Sequence, residues 1–203
     1  MGGTGLRHMA FPSFTTARLR LRPIAPSDAK GLHTAYGDPE AMRFWDCAPS
    51  RDVAQTKARI PRNTPHFAMW AVLAKDGKRF LGAVNFHNRS AGHRRLAIGY
   101  ILAREHWRKG LMHEALVPFL GHCFGDHRFG GLECHRVEAL IEPENAASRG
   151  LAEKIGFRSE GLMRDRLCVE GKFRNIIMYA LLADKWYARH PKPAAVGAPR
   201  AKR

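Results

Sequence analysis

Two short stretches carry residues whose types and spacing could do chemistry. In the first, Ile98-Gly99-Tyr100-Ile101-Leu102-Ala103 leads through Arg104-Glu105-His106 to Trp107-Arg108-Lys109-Gly110-Leu111-Met112. An apolar strand here delivers a basic, glycine-bearing turn to the start of a helix. Unpaired amides and the positive end of the helix dipole at such a place suit a phosphate or pyrophosphate. Arg108 and Lys109 add charge, and Gly110 allows close approach of the backbone. An ordinary solvated helix-start loop has the same composition, so this stretch alone leaves both readings open. In the second, Arg136-Val137-Glu138-Ala139-Leu140-Ile141 is followed by Glu142-Pro143-Glu144-Asn145-Ala146-Ala147-Ser148. Asn145 and Ser148 fit either a turn that caps the next helix or a pair of polar groups offered to a ligand.

The elements that must position these residues follow from periodicity. Arg18 to Arg22 alternates polar and apolar and ends at Pro23, as a strand does. Ser27 is the expected cap of a helix with Leu32 and Tyr36 on its apolar side. A short helix over Pro39 to Phe44 and another over Arg51 to Arg59, capped by Ser50, are expected next. Phe67 to Leu73 is a buried-strand run, Lys75 to Lys78 a turn, and Phe80 to Phe86 the return strand. A third strand covers Arg94 to Leu102. Gly110 to Phe124 is helical, with Leu111, Ala115, Leu116, Phe119, Leu120 and Cys123 at three- and four-residue spacings. Arg136 to Ile141 is a strand and Ala146 to Ile155 a helix ended by Gly156. Strands at Arg158 to Arg164 and Arg174 to Leu182 flank a turn at Glu170-Gly171. This is a mixed α/β layout around one sheet.

Composition narrows the partners. The 203-residue chain carries 34 Lys and Arg against 18 Asp and Glu, a formal charge of +16. Such a field attracts polyanions: nucleic acid, the ribosome, an anionic membrane surface or a phosphorylated ligand. No apolar run is long enough to cross a bilayer, and the first residues lack the apolar core of a secretory signal. We therefore expect a cytoplasmic location, a flexible arm over 1–14, one domain over 15–190, and a basic disordered tail over 191–203. Cys47, Cys123, Cys134 and Cys168 stand far apart without a C-x-x-C pair and read as reduced thiols. Among eleven histidines no H-E-x-x-H spacing occurs. His87, His93, His122 and His127 read as loop and surface residues, and no metal is expected.

Taken jointly, the two stretches resemble the GCN5-related N-acetyltransferases, the GNAT family, and its ribosomal-protein N-terminal acetyltransferase branch. The resemblance rests on Ile98-Gly99-Tyr100, Trp107-Arg108-Lys109-Gly110, Glu114-Ala115-Leu116, His135 to Ala139, Pro143-Glu144-Asn145 with Ala147-Ser148, and Glu153-Lys154 with Gly156-Phe157 and Glu160-Gly161. It extends from about Thr15 to Trp186. It implies the GNAT fold: a mixed, mostly antiparallel sheet with two splayed parallel central strands and flanking helices. Acetyl-CoA would be the cosubstrate, without a metal, and a primary amine the acceptor, either a protein N-terminus or a small amine. Strands Arg94–Leu102 and Arg136–Ile141 would hold the pantetheine arm between them, through backbone at Ile101, Leu102 and Ala103. Amides from Trp107 through Arg108, Lys109, Gly110 and Leu111 to Met112 would hold the pyrophosphate. Asn145 would bond the pantetheine or its loop, and Ser148 would protonate the leaving thiolate. Transfer would be direct, and a homodimer is common in this branch.

The chain also departs from the family pattern. Met112 stands where the phosphate loop ends in Gly or Ala. Ala97 replaces a Glu base, Ala152 replaces a Tyr acid, and Asn175 stands where the branch has Asp. Tyr100 and Tyr179 read as packing residues, Glu142 and Glu160 as solvated carboxylates, and Trp45, Trp70 and Phe44 as packing or acceptor-pocket aromatics. A missing base favours a low-pKa acceptor. An α-amine is roughly 10–15% neutral at pH 7, whereas a lysine side chain is neutral in well under about 0.1% of copies. The competing expectation is a catalytically weak CoA-binding domain that docks on RNA or the ribosome through its basic surface.

Overall fold

The computed structural model describes residues 11–127 and 130–191. One eight-stranded sheet organises them, in the order β1-β2-β3-β4-β5-β6-β8-β7. Its strands are β1 (Phe14–Thr15), β2 (Leu19–Pro23), β3 (Ala68–Ala74), β4 (Phe80–Ser90), β5 (Arg95–Leu102), β6 (Arg136–Ile141), β7 (Arg158–Val169) and β8 (Lys172–Leu182). Every neighbouring pair is antiparallel except β5 with β6. The helices are α1 (Ala29–Tyr36), α2 (Val53–Ala58), α3 (Leu111–Phe124), α4 (Ala146–Ile155) and α5 (Ala183–Arg189).

Strand alternation sends side chains to two faces, and each face has its own core. On one face Trp70, Val84, Phe86, Leu96 and Val137 pack with Leu116, Phe119 and Leu120 of α3 and Ile155 of α4. On the other, Met69, Ala71, Leu73, Ala83 and Ile101 pack with Leu32, Ala35 and Tyr36 of α1. β3 is buried along almost its whole length because both faces are covered, which is why it reads as a continuous apolar run.

Several boundaries differ from the sequence expectation. Pro39 to Phe44 forms turns and no helix. Ser27 lies inside a short 3₁₀ turn, where Asp28 accepts from the Ala25 N–H and pairs with Arg22. Asp52 rather than Ser50 caps α2, its side chain accepting from the Gln55 N–H. The last hairpin is longer than expected, because Glu170 and Gly171 both adopt positive φ and make a two-residue turn joining Val169 to Lys172. The flexible arm expected over 1–14 is already packed at its end: Phe11 and Phe14 lie against Trp70, whose indole N–H donates to the Pro12 carbonyl. Residues 1–10 of that arm and 192–203 of the basic tail lie outside the described residues.

Candidate active site

The site begins where β5 and β6 part. Their parallel pairing runs from Arg95 with Arg136 to Ile98 with Ala139 and stops there. Beyond it β5 stays zipped to β4 as far as Leu102, and β6 stays zipped to β8 as far as Ile141. The two strands therefore diverge, and the gap opens into a cleft of about 1350 Å³.

Hydrogen-bond parity decides which peptide groups face the gap. The Ala103 N–H donates to the Leu81 carbonyl, and the Ala183 N–H to the His135 carbonyl. Antiparallel pairs alternate between bonded and non-bonded positions. From Ala103 backwards, Ile101 and Gly99 thus aim their peptide groups at β4, while Tyr100 and Leu102 aim theirs at the gap. By the same reasoning Leu140 faces the gap from β6. Of the expected Ile101, Leu102 and Ala103, only Leu102 thus turns its peptide groups to the gap, together with Tyr100, while Ile101 and Ala103 are turned to β4. Ala103 is further occupied because its carbonyl accepts from the His106 N–H, and the Leu102 carbonyl already accepts from the Trp107 indole.

At the end of β5 the chain makes the basic turn. Arg108 and Gly110 both take left-handed conformations, with φ of 59° and 72°. Alternating handedness of this kind turns successive N–H groups to one side, forming an anion-binding concavity. Gly110 is the N-cap of α3 and makes no side-chain cap bond. Among the described residues the N–H groups from Arg108 to His113 have no turn or side-chain acceptor, and the first α3 bond is from Glu114 to the Gly110 carbonyl. The turn is braced from outside. Arg18 donates to the Lys109 carbonyl and to Glu114, whose carboxylate also accepts from Thr16, and Lys109 Nζ donates to the Glu105 carbonyl. Met112 is buried in the core cluster with α3 and also borders the cleft.

The opposite wall is the start of α4. Asn145 caps this helix by accepting from the Ser148 N–H at 3.1 Å. Ser148 Oγ lies 2.7 Å from the Tyr100 hydroxyl, joining α4 to the splayed part of β5. Burial pushes the Tyr100 phenol up to about 12, against the lowering effect of the Ser148 bond. Tyr100 is thus more than packing. On the other face of the sheet the cleft is lined by Asn85, His87 and the loop carrying Phe44, Trp45 and Asp46.

A family profile described as an acetyltransferase (GNAT) domain matches residues 18–158, more than half of the chain. The chain belongs to the GNAT family. This GNAT N-acetyltransferase is 31% identical over 176 residues to the uncharacterized N-acetyltransferase p20 of Bacillus licheniformis, covering 84% of this chain and 96% of that one. It is 30% identical over 182 residues to the [ribosomal protein uS5]-alanine N-acetyltransferase of Escherichia coli K12, covering 85% and 91%. Its fold matches the spermidine N-acetyltransferase of Vibrio cholerae, solved with CoA and spermine, at a TM-score of 0.72 and 20% identity over 84% and 99% of the two chains.

The remaining residues of this GNAT domain sort clearly. Trp70 is wholly buried and Trp45 packs on Tyr36 at the cleft, so only the second is available to a ligand. Tyr179 is buried but donates to Glu153 at 2.8 Å. Glu142 is not a solvated carboxylate: it is buried and held by Arg174 at 3.0 Å. Glu160 is bound by Arg136, which draws its carboxyl below the usual range. His87 lies on β4 and His122 in the core beside Trp70, not in loops or on the surface. His127 is exposed and meets Glu133 at 2.8 Å. No helix among the described residues is long and apolar enough to cross a membrane.

Proposed function

We propose that this enzyme transfers an acetyl group from acetyl-CoA to a primary amine of low pKa, foremost the α-amine of a protein N-terminus. The observation that carries the reading is a coincidence in one cleft. Open peptide edges at Tyr100, Leu102 and Leu140, a row of unpaired amides from Arg108 to His113, and the Ser148–Tyr100 hydroxyl pair all face the same space.

These groups fit a thioester-bearing nucleotide. The amides of Arg108 to Met112 would bind the pyrophosphate, with the exposed Arg108 guanidinium adding charge. Tyr100 and Leu102 would hold the pantetheine amides. Asn145, whose side-chain oxygen is committed to its cap, has its NH₂ left to offer. Ser148, backed by Tyr100, would donate toward the sulfur. When bound, acetyl-CoA supplies an activated acyl group that an amine nitrogen attacks directly.

Charge at the acceptor side bears on the amine. There Arg43, Arg59 and Arg166 line the cleft with Glu40 and Asp46, so cations outnumber anions. A polyamine, which carries several positive charges, is disfavoured by such a wall, whereas a single α-amine on a peptide is not. The relative named for acetylating an alanine of ribosomal protein uS5 supports the same acceptor class. The formal charge of +16 supports action near the ribosome.

The test is a thiol-release assay with acetyl-CoA and three acceptors: an alanine-starting peptide, an Nα-blocked lysine peptide, and spermine. The α-amine peptide should react fastest. Acetyl-CoA at a hundredfold over its dissociation constant should stabilise the fold by about 2.7 kcal/mol, raising Tm by roughly 5–10 °C for a domain of this size. No shift at millimolar acetyl-CoA, or a faster lysine reaction, would overturn the reading.

A further inference from the structure

Ala97 on β5 offers only a methyl group, yet the row of paired residues to which it belongs is not empty of bases. His87 on β4 is directly opposite Ala97, and Ala97 is directly opposite Glu138 on β6. Side chains directly opposite one another project on the same face with Cβ atoms about 4.5–5.5 Å apart. In this row only the short Ala97 side chain stands between His87 and Glu138. This row lies one residue before the last β5–β6 pair, at the mouth of the splay.

The two flanking groups differ in their partners. Glu138 is buried and bonded to Arg136 at 2.7 Å and to Arg95 at 3.4 Å. His87 is half-buried and lines the cleft. The pairing of β4 with β5 is interrupted after His87, and Asn88 there takes a positive φ of 52°. Such irregularities re-aim the side chains beside them. His87 Nδ1 lies 3.1 Å from Asn85 Oδ1. A carbonyl oxygen only accepts, so Nδ1 carries the hydrogen and Nε2 keeps its lone pair. Asn85 can lie in this position because its neighbour across the strands is Gly99: a Cβ there would come within 3.1 Å of the Asn85 amide.

We propose that His87 takes the proton from the acceptor amine. The assignment rests on the acetyltransferase reading above. The neutral nitrogen then bonds to the acetyl carbonyl carbon, the carbon–sulfur bond breaks, and its electron pair leaves on sulfur. An ammonium group brings three protons: the amide keeps one, the thiol takes one, and one passes through His87 to solvent. Burial lowers the His87 pKa, and the nearby charges of Asp46, in the loop after α1, and Glu138 partly oppose this. Phe67, just before β3, adds no charge. At pH 7 the imidazole is therefore the free base.

His87→Gln tests the assignment. In the wild type, kcat/KM for the alanine-starting peptide should rise with pH through a limb below about 6.5. In His87→Gln only amine that is already neutral reacts, so the limb should move to about 8, and the rate at pH 7 should fall about tenfold. The acetyl-CoA-induced Tm shift should survive. Independently of activity, ¹⁵N shifts of the unliganded protein should show His87 with a protonated Nδ1 and a lone pair on Nε2. An unchanged rate and pH limb in His87→Gln, or the opposite tautomer, overturns the role of His87 alone. No acetyl-CoA binding by the wild type overturns the reading beneath it as well.

Discussion

Replacing Ser148 by Ala removes the hydroxyl that bonds Tyr100 across the cleft, and the size of the effect can be worked out in advance. Complete proton transfer from this pair to sulfur is unfavourable. The Tyr100 phenol is pushed up to about 12, against about 8.5 for a thiol, a gap worth roughly 5 kcal/mol at about 1.4 per pKa unit. The pair must therefore act by donating a hydrogen bond to sulfur as charge develops. A hydrogen bond to a charged group contributes about 1.5–3 kcal/mol, which is roughly 10–150-fold in rate. Ser148→Ala should lower kcat by that factor in a thiol-release assay, with KM for acetyl-CoA little changed. Tyr100 can donate to Ser148 Oγ and so polarise it, which makes Tyr100→Phe the milder change, below about tenfold. The double variant should match Ser148→Ala, because the two hydroxyls form one relay. An unchanged kcat in Ser148→Ala, or losses that simply multiply in the double variant, would refute this account.

Two further outcomes follow from the core and the acceptor loop. His122 is buried between Phe14 and Trp70, and burial lowers its pKa to about 4, so between pH 4 and about 6.5 the unfolded chain binds a proton that the folded chain refuses. Stability should be full above pH 6.5 and fall by up to about 3 kcal/mol as pH drops toward 4, and denaturation of His122→Phe should show a shallower decline over that window. Arg174 donates to the Arg43 carbonyl as well as to Glu142, tying β8 to the acceptor loop. Arg174→Met should raise KM for the amine roughly 2–12-fold, the equivalent of one hydrogen bond, while the acetyl-CoA-induced Tm shift stays as in the wild type.

The sequence makes the centre of the fold legible and its periphery much less so. β3, α3 and α4 stand within a residue or two of expectation, because continuous burial and helical spacing leave strong patterns. The long hairpin does not, since β7 is exposed along most of its length and an exposed strand has no apolar alternation to read. Pro39 to Phe44 has helix-forming residues, but tertiary contacts override them. Asp38 is drawn to Arg104 and to the Glu40 N–H, and Trp45 turns back onto Tyr36. At the site, the motif locates Gly110, Asn145 and Ser148 but not the direction of any peptide group. Direction depends on pairing register, which turns Ile101 and Ala103 to β4 and Tyr100 and Leu102 to the gap. His87 shows the same limit: fifty-one sequence positions before Glu138 it is one histidine among eleven, and only the strand order brings it to that row.

The splay also explains why binding and stability must be coupled in this protein. Backbone groups removed from water are costly to leave unbonded, and ordinary sheets avoid the cost by pairing to their ends. Here β5 remains committed to β4, and β6 to β8, so the Tyr100 peptide groups, the Leu102 N–H and the Leu140 carbonyl are held open by strands that are otherwise zipped. Closing the gap would require β6 to slide against β8, breaking the register from Arg136–Leu182 to Ile141–Ile177. The opening is therefore a rigid consequence of two well-formed ladders and not a loosened edge. A ligand whose own amides complete those bonds restores what the sheet lacks. A ligand that offers only a phosphate satisfies the turn at Gly110 and leaves the strands as they were. Pantetheine-bearing fragments should consequently raise Tm more than the matching nucleotide alone, the separation that a phosphate-only site would not produce.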